Sequence, residues 1–167
     1  MKVSRSRFIV DSNILIDLHR GDIVKEFFSL PYDFIAPDVL IADELQIPAG
    51  DYLLSLGLIS NEMSGDQVSV VHKILEHNQA IGYKDIFALV LASDLGLILL
   101  TGDRRLRQLS DKHRVVVHGT LWVLNEMVKL CVVTNNQACD ALRLMLTKGS
   151  RLPNSDCERL LSIWGSK

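Results

Sequence analysis

The chain has 167 residues, 48% of them hydrophobic, enough for one well-buried core and short for two domains. Its 18 Lys and Arg against 20 Asp and Glu leave a net charge of −2, so bulk electrostatics do not advertise a nucleic-acid partner, and any such partner must be held locally. No apolar run approaches the roughly 18 residues of a bilayer span. The three cysteines, Cys131, Cys139 and Cys157, have no paired spacing and read as core or surface thiols. No leader pattern opens the chain, because Phe8, Ile9 and Val10 run straight into Asp11, so a cytoplasmic address is expected.

In chain order, residues 8–17 (FIVDSNILID) read as a buried strand that stops on an acid, a serine and an asparagine. A helix follows over 13–19 and ends at Gly21. Asp22 is expected to cap a short helix over 23–29, closed by Pro31, and residues 34–36 read as a second strand. Pro37 and Asp38 open a helix through Leu45 that carries Glu44, and Pro48 closes it. Residues 51–61 fit either a short helix or a strand followed by a turn. Asp66 begins an amphipathic helix with Val68, Val71, Ile74 and Leu75 on one side. A strongly apolar helix starts near Lys84 with Asp85 in its first turn, where the positive end of the helix dipole favours a carboxylate. After Gly96 comes a strand over 97–100, then Thr101, Gly102 and Asp103. Asp103 is placed to cap a basic helix over 104–110, and residues 115–117 form a further strand.

Strand and helix alternate up to this point, which implies a mainly parallel sheet covered by helices on both faces, a three-layer α/β/α arrangement. From Gly119 onward only helical patterns occur, over 120–130, 137–146 and 155–164. The expected organisation is a domain over 1–130 with a helical extension over 131–167 packed on it.

Asp11 and Asp103 end apolar strands, Glu44 and Asp85 lie on helices, and in an open α/β sheet the carboxyl ends of the strands line the ligand crevice. Four carboxylates in one low-dielectric site would repel one another, and a divalent cation removes that conflict. Oxygen donors without histidine or cysteine favour Mg²⁺ or Mn²⁺. Phosphodiester hydrolysis suits such a set, with Ser12, Asn13 and Thr101 orienting ligands or waters. Lys84, Arg104, Arg105 and Arg107 stand beside these acids as candidate phosphate contacts. Asp38, Asp43 and Asp94 read as surface or capping acids, although Asp43 replaces Glu44 if the helix register is one residue off; Asp17 could face the same crevice, and an exposed first-helix acid fits it at least as well. Trp122 and Trp164 lie in apolar-patterned helices and offer no stacking platform for bases.

The segments VDSNILIDLHRGD, APDVLIADEL, GYKDIFALVLASDLGLILLTGDRRLR and HGTLWVLNEMVKL together resemble the PIN-domain (PilT N-terminus) ribonucleases, the family that includes VapC-type toxins. The resemblance runs from residue 8 to about residue 130. It implies that Asp11, Glu44, Asp85 and Asp103 form the acidic metal-binding quartet of a Mg²⁺- or Mn²⁺-dependent endoribonuclease. It also implies an RNA substrate and, for a toxin-like member, a small antitoxin partner and a homodimer. A rival reading is a phosphatase with a second catalytic aspartate two residues after Asp11. Asn13 stands there and cannot shuttle a proton. The non-enzymatic rival is a PIN-fold nucleic-acid-binding or interaction module.

Overall fold

Residues at the centre of the sheet alternate between two separate cores. Phe8, Val10, Phe34, Ala36 and Leu100 face one. Ile9, Ile35 and Leu99 face the other. This two-residue period, with apolar side chains on both faces, is what a parallel strand covered on both sides requires.

The computed structural model describes residues 5–43 and 47–165. In chain order its elements are β1 (Ser6–Val10), α1 (Ser12–Arg20), α2 (Val24–Phe27), β2 (Tyr32–Pro37), α3 (Asp38–Asp43), α4 (Gly50–Leu56), β3 (Ile59–Asn61) and α5 (Gly65–His77). They continue with α6 (Tyr83–Leu95), β4 (Ile98–Leu100), α7 (Arg104–Lys112), β5 (Val117–His118), α8 (Thr120–Lys129), α9 (Asn135–Thr147) and α10 (Asn154–Gly165). The five strands are all parallel, in the order β3-β2-β1-β4-β5. The expected three-layer α/β/α fold is therefore present. No helix among the described residues is long and apolar enough to cross a membrane.

Helices α5, α6 and α7 cover one face through Val71, Ile86, Leu89, Leu106 and Leu109. The other face meets α1, α2 and α8, and α9 and α10 join the same cluster. That cluster is continuous across residue 130, since Leu142, Met145, Leu160 and Trp164 share it with Leu15, Leu18 and Phe27. Helix α9 lies so near the end of α1 that a Cβ on Gly21 would stand 2.6 Å from Met145 Cε and 3.1 Å from the Ala141 carbonyl oxygen. Tyr32 ties β2 to α8 by donating to Glu126 Oε2 at 2.8 Å.

Several local expectations change in three dimensions. Asp22 does not cap α2; Ile23 does, without a side-chain bond. Asp22 has φ 53° and donates its N–H to the His19 carbonyl, so it belongs to the turn that leaves α1, in a conformation that aspartate tolerates better than most residues. Residues 51–61 divide into helix α4 and edge strand β3, separated by Gly57 at φ 118°. The last strand begins at Val117, not Val115, because Arg114 at φ 57° and the Val115 N–H to the Ser110 carbonyl spend that stretch on ending α7. The helix expected to begin at Asp66 begins one residue earlier, at Gly65, capped by a reciprocal Ser64–Gln67 box.

Leu142 is fully buried between α9 and the first core. Leu142→Ala is expected to cost about 2–5 kcal/mol and to lower a single thermal transition seen by both far- and near-ultraviolet circular dichroism. A separate low-temperature transition for 131–167, with the remainder unaffected, would show that the tail does not share the core's cooperativity.

Candidate active site

The chain moves outward from β1 to β2 and β3, then returns to place β4 on the opposite side of β1. The connections leaving β1 and β4 therefore run to opposite sides of the sheet, and the crevice between their carboxyl ends is where ligands bind in open α/β sheets. Asp11 follows β1 and Thr101 follows β4 at this point, joined first by the Asp11 N–H donating to the Leu100 carbonyl at 3.0 Å.

Asp11 is fully buried and is also the N-cap of α1. Its Oδ1 accepts from the Ser12 N–H at 2.8 Å, and its Oδ2 accepts from Asn13 Nδ2 at 2.8 Å and from Thr101 Oγ1 at 2.7 Å. A carboxylate removed from water is costly unless donors surround it, and these three fix its orientation. Asn13 is used from both ends of its amide: Nδ2 also donates to Thr101 Oγ1 at 3.2 Å, and Oδ1 accepts from the Gly102 N–H at 2.9 Å. Thr101, fully buried, accepts in addition from the Asp103 N–H at 3.2 Å. Asn13 thus works as a brace, which answers the phosphatase reading.

Asp103 caps α7, with Oδ1 accepting from the Leu106 N–H at 2.7 Å, and remains half-exposed beside the network. Asp85 lies half-buried in the first turn of α6. Helix α6 passes through Gly96 at φ 63° directly into β4, so it runs against the strands and its first turn stands at the carboxyl edge. Arg105 holds that end in place by donating to the Ala80 carbonyl at 2.8 Å. This bond draws Arg105 toward the turn before α6, whereas Arg104 and Arg107 line a cavity beside Gly102. Lys84 is half-buried next to Asp85. Glu44 lies outside the described residues, just beyond Asp43 at the end of α3.

One acid that the sequence allows at either the surface or the crevice belongs to the crevice. Asp17 is buried, accepts from Thr120 Oγ1 at 2.8 Å, approaches Arg20 at 3.8 Å, and lines a cavity of about 350 Å³ with Asn13 and Asp103. Its spacing of four residues from Asn13 puts both on one helical face, and that was the signal available in the sequence.

The donors meeting at this edge are carboxylate, amide and hydroxyl oxygens, which suit a hard cation. Among the described residues no three His, Cys, Asp or Glu side chains stand close enough to hold an ion by themselves. Mg²⁺ is commonly bound by one or two carboxylates while keeping several waters, so the set that includes Asp11 and Asp103 fits that habit.

His118 ends β5 and stacks on Trp122, with ring centroids 4.2 Å apart and planes 9° from parallel. Burial, then the Arg107 guanidinium, pushes its imidazole below the ordinary value, against an opposing pull from Glu126. Folding therefore favours the neutral ring over the protonated one. The stability this confers is complete above the unfolded value of about 6.5 and is lost as pH falls through the lower folded value.

Proton NMR titration is expected to place the His118 midpoint below about 6.5, and Arg107→Ala should move it upward. Asn13→Asp removes both Nδ2 donors and sets a second carboxylate against Asp11. It is expected to destabilise the fold by about 1–3 kcal/mol in urea titration at neutral pH.

Comparisons with known proteins bear on the fold and the family. No curated protein matches the chain. Among solved structures, the chain is similar to a PilT N-terminus domain protein, SSO1118, from the hyperthermophilic archaeon Sulfolobus solfataricus P2. The TM-score is 0.53 at 13% sequence identity, over 73% of this chain and 93% of the other, which is a likeness of fold. The profile of the family described as DUF3368, PIN domain, matches residues 7–166, almost the whole length. The chain belongs to the PIN-domain family.

Proposed function

We propose that this PIN domain is a metal-dependent endoribonuclease that hydrolyses RNA phosphodiester bonds at the carboxyl edge between β1 and β4. PIN domains are generally nucleases that use divalent metal ions. The observation that supports the reading most directly is the buried Asp11 carboxylate, braced by Asn13 and Thr101 at the switch in strand order. Asp11, Asp103 and Asp85 would hold Mg²⁺ or Mn²⁺, with Glu44 as the fourth acid, and water would complete the shell. When bound, such an ion neutralises charge on the phosphodiester and activates a water.

The chain's own groups have separate tasks. Asn13 and Thr101 keep the Asp11 carboxylate aimed, and Ser12 holds its other oxygen through the backbone. Asp103 caps α7 through Oδ1 and also lines the cavity with Asn13 and Asp17. Arg104, Arg107 and Lys84 supply positive charge for the phosphates on either side of the scissile bond. Arg105 supports the Asp85 turn through Ala80. The same reading carries two partners as proposals, a small antitoxin protein that blocks the crevice and a second copy of the chain.

Purified protein with Mn²⁺ is expected to cut mixed-sequence single-stranded RNA. Asp11→Asn should reduce the rate by about a hundredfold or more, and Thr101→Val by about tenfold. Asp11→Asn cutting at the wild-type rate would remove the site assignment. The alternative is a PIN-fold module that binds nucleic acid without cutting it. RNA binding without cutting by the wild type would establish it instead.

A further inference from the structure

We propose that the turn between α9 and α10 forms one wall of a groove for single-stranded RNA, with Arg151 as its phosphate contact. The inference rests on the nuclease reading of the neighbouring crevice and gives the helical tail a part in substrate binding. Two cavities meet at this turn. The first, about 350 Å³, contains Asn13, Asp17, Arg20 and Asp103. The second, about 370 Å³, contains Arg104, Arg107, Trp122 and Pro153. Gly102 and Arg151 line both, so Arg151 stands where the candidate cutting site opens into the second cavity.

The second cavity has the chemistry of a polyanion track. Three guanidinium groups face it against one carboxylate, Asp156, which is itself 3.3 Å from Arg159. The ion pairs found among the described residues involve other cations, not Arg104, Arg107 or Arg151. Gly102 and Gly119, just past the ends of β4 and β5, line this cavity as well. A Cβ on Gly119 would stand 3.2 Å from Arg107 Nη2, so even alanine there crowds that guanidinium.

The turn that presents Arg151 is anchored. Gly149 takes φ 87°, its N–H reaches the Leu146 carbonyl, and the Ser150 N–H reaches the Met145 carbonyl at 2.9 Å. Ser150 and Met145 are buried while Arg151 is exposed, so little backbone order has to be gained on binding. The occupant is a polynucleotide rather than a lone anion, because the track is continuous with a crevice suited to phosphodiester chemistry. Its contacts are to the backbone. One face of the Trp122 ring is taken by His118, and the ring also meets Phe8 at 5.7 Å.

The test is fluorescence anisotropy with a labelled, mixed-sequence single-stranded RNA in EDTA, so that binding is read apart from cutting. Arg151→Ala is expected to weaken binding roughly tenfold. It should also lower the slope of log affinity against log salt by about 0.7, the loss of one phosphate contact on a single strand. Arg151→Lys should keep the slope. Arg143→Ala, on the exposed side of α9 beside Asp140, should leave binding unchanged and controls for net charge. Equal binding by the Arg151→Ala and Arg143→Ala variants would overturn the groove even if the protein cuts RNA. Arg151-dependent binding by a protein that cuts nothing would uphold the groove and remove the nuclease reading. Failure of the wild type to bind RNA in EDTA would overturn the groove, whether or not the protein cuts RNA with Mn²⁺.

Discussion

The crevice depends on one buried carboxylate. Asp11 ends β1, caps α1 and takes a hydrogen bond from Thr101 across the gap to β4, so one side chain joins three elements at the place where the strand order reverses. Removing a charge from water is unfavourable in isolation, and each donor around Asp11 offsets part of that cost. Those donors have their own partners, since Asn13 also holds the Gly102 N–H and Thr101 also accepts from the Asp103 N–H. Oriented this way, the β1 end and the loop after β4 form a single hydrogen-bonded unit.

The rest of the fold supports this edge. Strands buried on both faces leave no room for polar groups except at their ends, so the acids accumulate where the sheet stops. Helix α6 is almost entirely apolar from Ile86 to Ala92 and is buried against the sheet, so its first turn carries Asp85 out to the same edge. On the other face α9 packs against α1 through the close approach at Gly21, and the turn that follows α9 therefore reaches the crevice with Arg151. The tail's helices are part of the first core, and the family profile also extends to residue 166.

Features set by neighbours along the chain were legible in the sequence. Asp103 caps α7 through an amide three residues away, and Gly96 closes α6 at a positive φ, as their positions indicated. The three helices after Gly119 followed from apolar spacing alone. Local signals failed where a distant partner or a competing turn decided. Asp22 had the residue type of a cap, yet the turn leaving α1 took it. Strand β3 is short and exposed, so its pattern carried little period, and only pairing with β2 makes it a strand.

By itself the sequence determined most element types and the placement of Asp11 and Asp103 just past apolar strands, because these depend on residues within a few positions of one another, and four such segments taken together carried the PIN-family likeness. Tertiary structure alone decided that Asp17 is buried, since its partner Thr120 lies 103 positions away. It also decided that Asn13 braces both strand ends and that Arg151 shares cavities with Arg20 and Arg107. Parallel strand order and helix packing create those meetings, and neither is encoded in any short stretch of chain.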